Sequence, residues 1–445
     1  MSTLTVAGIR RRFLLLLGLR WLSSGLVLPL LVLIAQERGL TLAEIGLVLA
    51  TYGITTGVLE IPTGGLADSI GRRKVLVLSA VLQLILYGVV LIATSTALFA
   101  VGFMIGGISR ALDSGPLEAW FVDRTYGIDS TAELRGSLSA GGVISGIALA
   151  IGAVAGGLIP AIAGGRLELA VWAALGAGVV YLVSIPLLMT SDDRSGADPT
   201  STAFARVPRL IAEGVHLGIG DRSLRLLLAG MAGLGFGLGS LELLWQPRFV
   251  YLLDGDTVNT GPLGFVLAGA FALAAVGSAL TPWITHRLKN DPRRTAFAGR
   301  FTMGGAVVLL AWTGRFEIAT IAFLVAYFSN GVAGPVESEL LHAQVDESVR
   351  TTVLSVQSMT LQGSGMMAGI GLGALADAAG ITASWTVGAV VLALSSLLYL
   401  RVEVAGEHAD AVIPDPANGP EAPSPFPGTC LVMEGPTGVG AVKRP

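Results

Sequence analysis

Charged residues are scarce in this chain, and their scarcity limits the class of protein it can be. Only 13% of its 445 residues are charged, while 53% are hydrophobic. Soluble domains carry about a quarter charged residues, so the composition indicates a multi-pass membrane protein. The formal net charge is only -3 and the bases are scattered among loops, which argues against nucleic acid as a partner.

Cysteine and the common catalytic motifs are also nearly absent. The single cysteine, Cys430, allows no disulfide within the chain and makes a cysteine-based metal site untenable. The sequence has no Gly-x-x-x-x-Gly-Lys-Ser/Thr phosphate loop, so it gives no support to an ATP-driven process. It also has neither His-Glu-x-x-His nor Gly-x-Ser-x-Gly. We therefore expect no enzyme activity, no metal and no cofactor.

Long apolar runs dominate what is present. Twelve segments are long enough to cross a bilayer, which takes about 20 residues. They form two groups of six, at 13–36, 42–66, 75–94, 97–121, 137–160 and 168–189, and at 224–252, 262–286, 295–314, 317–341, 352–376 and 382–401. The predicted fold is all-α, with an N-terminal six-helix bundle over 1–189, a cytoplasmic connector over 190–222, a C-terminal six-helix bundle over 223–402 and a disordered cytoplasmic tail over 403–445.

The distribution of arginine and lysine predicts the orientation. Basic residues collect in the loops on one side of the predicted spans, whereas the opposite loops hold only Arg38, Arg166 and Arg315. By the positive-inside rule, both termini and the connector are cytoplasmic. The glycine- and alanine-rich composition suggests a bacterial protein, and we expect it in the plasma membrane.

The two groups of spans resemble copies of each other. Ser114-Gly-Pro-Leu-Glu118 recurs as Ala333-Gly-Pro-Val-Glu337 at an offset of 219, and Pro62 with Arg73 recurs as Pro282 with Arg293 at an offset of 220. A nearly constant offset predicts a parallel duplication, with both halves in the same orientation.

One loop carries a recognisable motif. Residues 64–74 read Gly-Gly-Leu-Ala-Asp-Ser-Ile-Gly-Arg-Arg-Lys. This resembles the signature loop between the second and third helices of the major facilitator superfamily of transporters. The resemblance implies two parallel six-helix bundles and a conformational gate, in which an acid ending the fourth helix joins the loop charges to close the cytoplasmic side. The gate residues would be Gly64, Asp68, Gly71, Arg72, Arg73 and Asp123.

Charges inside predicted spans are costly in a bilayer, so each is a functional hypothesis. Ten lie away from the span ends, namely Arg20, Glu60, Arg110, Asp113, Glu118, Glu242, Arg248, Arg300, Glu337 and Glu339. Eight of the ten fall in the first, fourth, seventh and tenth spans, the helices that line the central cavity in the resembled family. We therefore expect the substrate cavity to include Arg20, Glu242, Trp245, Gln246 and Glu337.

The acids of the first half are the candidates for proton coupling. Arg110 and Asp113 are three residues apart, share a helix face and can pair. Arg110 also resembles an arginine that the family's antiporters use in proton coupling, although a purely structural ion pair remains an alternative. Glu60 either takes a proton or pairs with Arg20. Glu118, like Glu337, follows Gly-Pro, which predicts a break or bend in each helix.

Two further features concern the ligand and the helix packing. Glu242 beside Trp245 suits a cationic ligand, although an isolated tryptophan often only anchors a helix at the membrane interface. Gly152 and Gly156, with their repeat partners Gly369 and Gly373, predict close helix packing. The fifth-span glycines also resemble a motif of the family's antiporters, except that Ala153 replaces its proline.

These features together favour a secondary active transporter. We expect a monomer that exports small hydrophobic or cationic compounds, as in multidrug efflux, with the proton gradient as its energy source. An importer of a sugar or organic acid is one alternative. A membrane sensor or lipid-handling protein that does not transport is the other, although an intact gate loop argues against it.

Overall fold

A computed structural model of the protein describes residues 5–190, 220–255, 258–345 and 350–403, apart from the side chains at positions 61, 62, 64, 65, 68, 69 and 350–352. The predicted connector and tail lie almost wholly outside these ranges. The described residues form helices and contain no strand.

The first half comprises eight helices: α1 (Val6–Val27), α2 (Leu31–Glu37), α3 (Leu42–Ile70), α4 (Arg72–Ile92), α5 (Thr96–Asp113), α6 (Pro116–Tyr126), α7 (Arg135–Ile162) and α8 (Glu168–Leu188). The second half comprises α9 (Arg222–Leu252), α10 (Gly261–Arg287), α11 (Pro292–Trp312), α12 (Phe316–Ala343), α13 (Arg350–Ala379) and α14 (Ile381–Ser396), followed by a short 3-10 helix (Tyr399–Arg401).

These helices account for the twelve predicted spans. The pairs α1–α2 and α5–α6 are each one span with a break in it. Among the described residues, eleven spans are both long and apolar enough to cross a membrane. The twelfth, predicted at 352–376, lies in α13, which is 30 residues long. The fold is that of a twelve-helix membrane protein with two parallel six-helix halves.

Local sequence explains where several helices begin. Thr41 caps α3 through a capping box with Glu44, because each side chain binds the other residue's backbone N–H. Gly71 ends α3 with φ +96°, a conformation that glycine adopts without strain and that lets α4 start at once. Arg72 is therefore the first residue of α4.

The Gly-Pro sequence breaks only one of the two helices in which it occurs. Gly115 has φ +98° and separates α5 from α6, with Pro116 as the first residue of α6. In the second half, α12 continues through Pro335 without interruption. Of the break or bend predicted at both repeats, α12 therefore has no break, and its glycine has no positive φ.

The two halves pack together mainly at one end. We call the end at which α1 begins the terminal face and the opposite end the distal face. One apolar core near the distal face includes Leu33, Val48 and Ala153 from the first half and Trp245 and Leu267 from the second. A separate core near the terminal face, around Phe13, Trp120 and Ile185, contains first-half residues only. The halves are thus joined at the distal face.

Candidate functional site

A central cavity of about 600 Å³ lies between the two halves. It is lined by residues of α1 to α5 and α8 on one side and of α9, α10, α12 and α13 on the other. The predicted cavity helices, at the first, fourth, seventh and tenth spans, all contribute. The other contributing helices, such as α3 and α13, supply mostly apolar and glycine positions, which a search for charged residues does not detect.

An ion pair stands on the first-half wall of this cavity. Arg20 of α1 forms a salt bridge with Asp113, the last residue of α5. The other carboxylate oxygen, Oδ1, is buried and has no hydrogen-bond partner among the described residues. The sequence predicted instead that Asp113 pairs with Arg110, and it offered Arg20 as a partner of Glu60. Because α5 ends at Asp113, the carboxylate is free to meet α1 rather than its own helix.

A tryptophan on the same wall lies between two arginines. The guanidinium carbon of Arg20 is 4.9 Å from the centre of the Trp21 ring, and that of Arg110 is 5.8 Å away. Both distances allow cation–π attraction. The sequence analysis missed Trp21, although its position directly after Arg20 was the available signal.

The second-half wall carries Glu242, Trp245 and Gln246 from α9, three of the residues that the sequence assigns to the substrate cavity. The Glu242 side chain is exposed on this wall. Trp245 is buried, with its ring centre 5.2 Å from that of Phe323 and 6.0 Å from that of Phe249. It therefore belongs to an aromatic core and is not an interfacial anchor.

Gln246 closes the distal side of the cavity by binding the backbone of the other half. Its Oε1 accepts a hydrogen bond from the backbone N–H of Val32 (2.9 Å), and its Nε2 donates one to the carbonyl of Leu28 (3.0 Å). These two backbone groups are four residues apart, so an unbroken helix would join them directly. The Gln246 amide thus occupies the break between α1 and α2.

Two more second-half side chains bind first-half backbone at the distal face. The carboxylate of Asp377 accepts hydrogen bonds from the N–H groups of Leu42 (3.1 Å) and Ala43 (2.8 Å) at the start of α3. The Thr260 hydroxyl donates to the carbonyl of Gly157 (2.7 Å). We call Gln246, Asp377 and Thr260 the distal clamps. The sequence analysis missed Asp377 and Thr260, because it considered only charged residues well inside the predicted spans. Asp377 lies beyond the end of its span, and Thr260 is uncharged.

The predicted packing glycines lie where helices approach closely. A side-chain carbon added at Gly152 or Gly156 would come within 2.7 or 2.1 Å of the backbone of α1. One added at Gly373 would come within 2.6 Å of the backbone of α3, and at Gly369 within 3.3 Å. The first two contacts lie within the first half, whereas the last two join the halves near the distal face.

Another face of the fifth span is open. A side-chain carbon added at Gly146, nearer the terminal face of α7, would meet no described atom within 4 Å. A second cavity, of about 330 Å³, separates α3 from α13 towards the same face and is lined by Glu60 and Ser358. The described residues therefore form a transmembrane bundle that is closed at the distal face.

Two of the residues predicted to form the gate are in contact. The Arg72 guanidinium donates to the Asp123 carboxylate at 2.8 Å, which ties the start of α4 to α6 within the first half. Gly71 forms the turn between α3 and α4, and Arg73 is half-buried. Gly64 and Asp68 are in helix α3, but their side chains lie outside the described part of the structure.

Three predicted site acids lie away from the main cavity. Glu60 accepts a hydrogen bond from the Ser114 hydroxyl (2.9 Å) and lines the second cavity instead of the main one. Glu118 is exposed in the first turn of α6. Glu337 is only 2% exposed and binds Arg300 through two hydrogen bonds of 2.6 and 2.5 Å. Its placement in the substrate cavity was wrong, because α11 supplies a buried partner that only the packing reveals.

Comparison with known proteins identifies a family of membrane transporters. The family model described as Major Facilitator Superfamily matches residues 13–369. No curated protein sequence matches the chain. Among solved structures, a mutant of the nucleoside transporter NupG has a TM-score of 0.76 at 12% identity, covering 88% of this chain and 99% of that one.

Two other solved structures share the fold. A bacterial homolog of the human lysosomal transporter Spinster, in an inward-facing and unoccupied conformation, has a TM-score of 0.66 at 15% identity over 90% of this chain and 96% of its own. The human organic anion transporter TETRAN has a TM-score of 0.59 at 18% identity over 89% and 100%. With a family match over most of its length, the chain belongs to the Major Facilitator Superfamily of membrane transporters.

Proposed function

We propose that the protein is a proton-coupled secondary transporter that exports small hydrophobic or cationic compounds by alternating access. In this proposal it works as a monomer in a bacterial plasma membrane, with its terminal face in the cytoplasm. The two halves rock about the central cavity and open it to one side at a time. The conformation closed at the distal face is the one that receives the compound from inside the cell.

The observation that carries the proposal is the environment of Asp113. One carboxylate oxygen binds Arg20, while the buried Oδ1 has no described partner. A buried polar atom without a partner costs free energy, and a proton placed on it lowers that cost. Protonation also removes the negative charge that attracts Arg20, which loosens the contact between α1 and α5. Asp113 is thus our candidate for the proton carrier, ahead of Glu60 and Glu118.

Glu242 supplies the second charge that export requires. It is exposed on the opposite wall of the same cavity, beside a large aromatic cluster. A cationic group of the compound would bind this carboxylate. Because a proton on Asp113 and a cation at Glu242 bring positive charge into one small cavity, each disfavours the other. This competition couples downhill proton entry to uphill export.

The gate loop supports movement rather than a static role. Arg72 and Asp123 tie α4 to α6, which favours movement of the first half as one body. The Arg72–Asp123 salt bridge holds helices together within one half, whereas the hydrogen bonds of the distal clamps join the two halves and can break when the distal face opens. A sensor that no longer changes conformation needs neither this salt bridge nor contacts that can break between the halves.

The proposal is tested by measuring accumulation of cationic and neutral dyes in an efflux-deficient bacterial host. The host expresses the wild type, Asp113→Asn or the exposed control Glu317→Gln. We expect lower dye accumulation with the wild type and the control, restored by a protonophore, and no reduction with Asp113→Asn at equal membrane expression. Higher accumulation with the wild type would favour an importer, and equal accumulation throughout would refute export of these compounds.

A further inference from the structure

The charges that line the main cavity are balanced, contrary to the excess of acids in the predicted spans. Its charged lining residues are Arg20, Arg110, Asp113 and Glu242. The remaining acids of the spans are placed elsewhere, since Glu337 is paired with Arg300 and Glu60 lines the second cavity. The cavity lining therefore has no excess of acids that would disfavour an anionic group in the ligand.

Two of the four charges neutralise each other and two do not. Arg20 and Asp113 form a salt bridge. In the part of the chain that the structure describes, the Arg110 guanidinium has no carboxylate within 4.0 Å and lies over the face of Trp21. Likewise, Glu242 has no described cation within 4.0 Å. The cavity therefore presents one unneutralised positive group and one unneutralised negative group.

These two groups stand on opposite walls at different depths. Arg110 is 14 residues from the distal start of α5, and Glu242 is 10 residues from the distal end of α9. At a rise of about 1.5 Å per residue, their depths differ by about 6 Å along the helix axes. Between them the lining is mostly apolar, and it includes Phe271, Tyr327 and Met366.

Unneutralised charges in such surroundings are costly, so a ligand that neutralises both groups gains more than a ligand that neutralises one. We infer that the preferred ligand is zwitterionic, with an anionic group at Arg110, a cationic group at Glu242 and an apolar body between them. This inference rests on the proposed function for the role of the cavity, and it narrows the substrate class from cationic compounds to amphipathic compounds that carry both charges.

The test is equilibrium binding of three dansyl compounds to the purified full-length protein, followed by dansyl fluorescence. Nα-dansyl-lysine carries a carboxylate and an amine separated by its apolar side chain, dansylcadaverine carries the amine only, and Nα-dansyl-norleucine carries the carboxylate only. We expect dansyl-lysine to bind about tenfold or more tightly than either of the others, as a charge-assisted hydrogen bond predicts.

Two variants then give a crossed pattern that a general loss of folding would not produce. Glu242→Gln should abolish the advantage of dansyl-lysine over dansyl-norleucine, and Arg110→Gln should abolish its advantage over dansylcadaverine. The matched exposed variants Glu317→Gln and Arg315→Gln should leave all three affinities unchanged, because their side chains are 74% and 76% exposed.

Equal affinity for the three compounds, tighter binding of dansylcadaverine, or no binding by any of them would overturn the inference. Binding at equilibrium depends on neither proton coupling nor the direction of transport. The crossed pattern without proton-coupled export would therefore refute the proposed function and leave the ligand class standing, whereas export without the crossed pattern would do the reverse.

Discussion

Removing the Gln246 amide should open the distal face of the protein. The side chain is 3% exposed and makes two hydrogen bonds to first-half backbone, to Val32 in α2 at 2.9 Å and to Leu28 just after α1 at 3.0 Å. Each such bond contributes about 1 kcal/mol. The change Gln246→Ala removes both from the closed conformation only, so it should shift the equilibrium towards the distal-open conformation by about 2 kcal/mol, or about 30-fold.

The shift can be measured by cysteine labelling. Cys430→Ser removes the native thiol, and Ser24→Cys places a similar small side chain on the cavity wall. A membrane-impermeant maleimide added to intact cells reaches this position only through an open distal face, which is the outer face in the predicted orientation. The labelling rate should therefore rise about 30-fold in the Gln246→Ala background.

A second glutamine provides the control. Gln362 lines the same cavity, and its side-chain amide donates a hydrogen bond to Ser358, one turn away on its own helix. Gln362→Ala removes an amide without removing a clamp, so the labelling rate should stay within about twofold of the parent. If Gln246→Ala labels no faster than Gln362→Ala, Gln246 does not hold the distal face closed.

Three other predictions follow from single contacts. Glu337→Ala leaves the buried Arg300 charge unpaired and should lower the free energy of unfolding by about 3–5 kcal/mol in detergent, whereas the exposed Glu317→Ala should change it by less than about 0.5 kcal/mol. Gly264→Leu places a side chain 2.3 Å from the Ala153 carbonyl between the halves and should raise the labelling rate of the Ser24→Cys protein, while Gly146→Leu meets open space and should not. Asp68→Asn should abolish transport at normal membrane expression, and unchanged transport would remove Asp68 from the gate.

Much of the fold is readable from the sequence because the bilayer imposes simple rules. A span needs a certain length of apolar residues, and a duplication leaves matching motifs at a constant offset. The packing glycines are recognisable for a similar reason, since Gly152 and Gly156 recur one turn apart on one helix face. None of these signals depends on which helix lies beside which.

The contacts of the site residues depend on which helices pack together, and for these contacts the predictions from sequence were wrong in several places. Glu118 and Glu337 follow the same Gly-Pro motif, yet one is exposed and the other is buried against Arg300. One reason is that Gly115 breaks its helix, whereas α12 stays continuous. The other is that Arg300 of α11 binds Glu337, and Glu118 has no such buried arginine beside it among the described residues. In the same way, Asp113 binds Arg20 across two helices instead of Arg110 on its own.

The central claim is that Asp113 carries the proton that drives transport. The most direct test uses purified protein in liposomes that are acid inside and contain a trapped pH-sensitive dye, with protein-free liposomes to correct for passive permeation. Addition of dansyl-lysine or dansylcadaverine should raise the internal pH with the wild type but not with Asp113→Asn, although that variant still binds the compound. Equal proton movement in the two proteins, or no ligand-dependent movement with the wild type, would contradict the account.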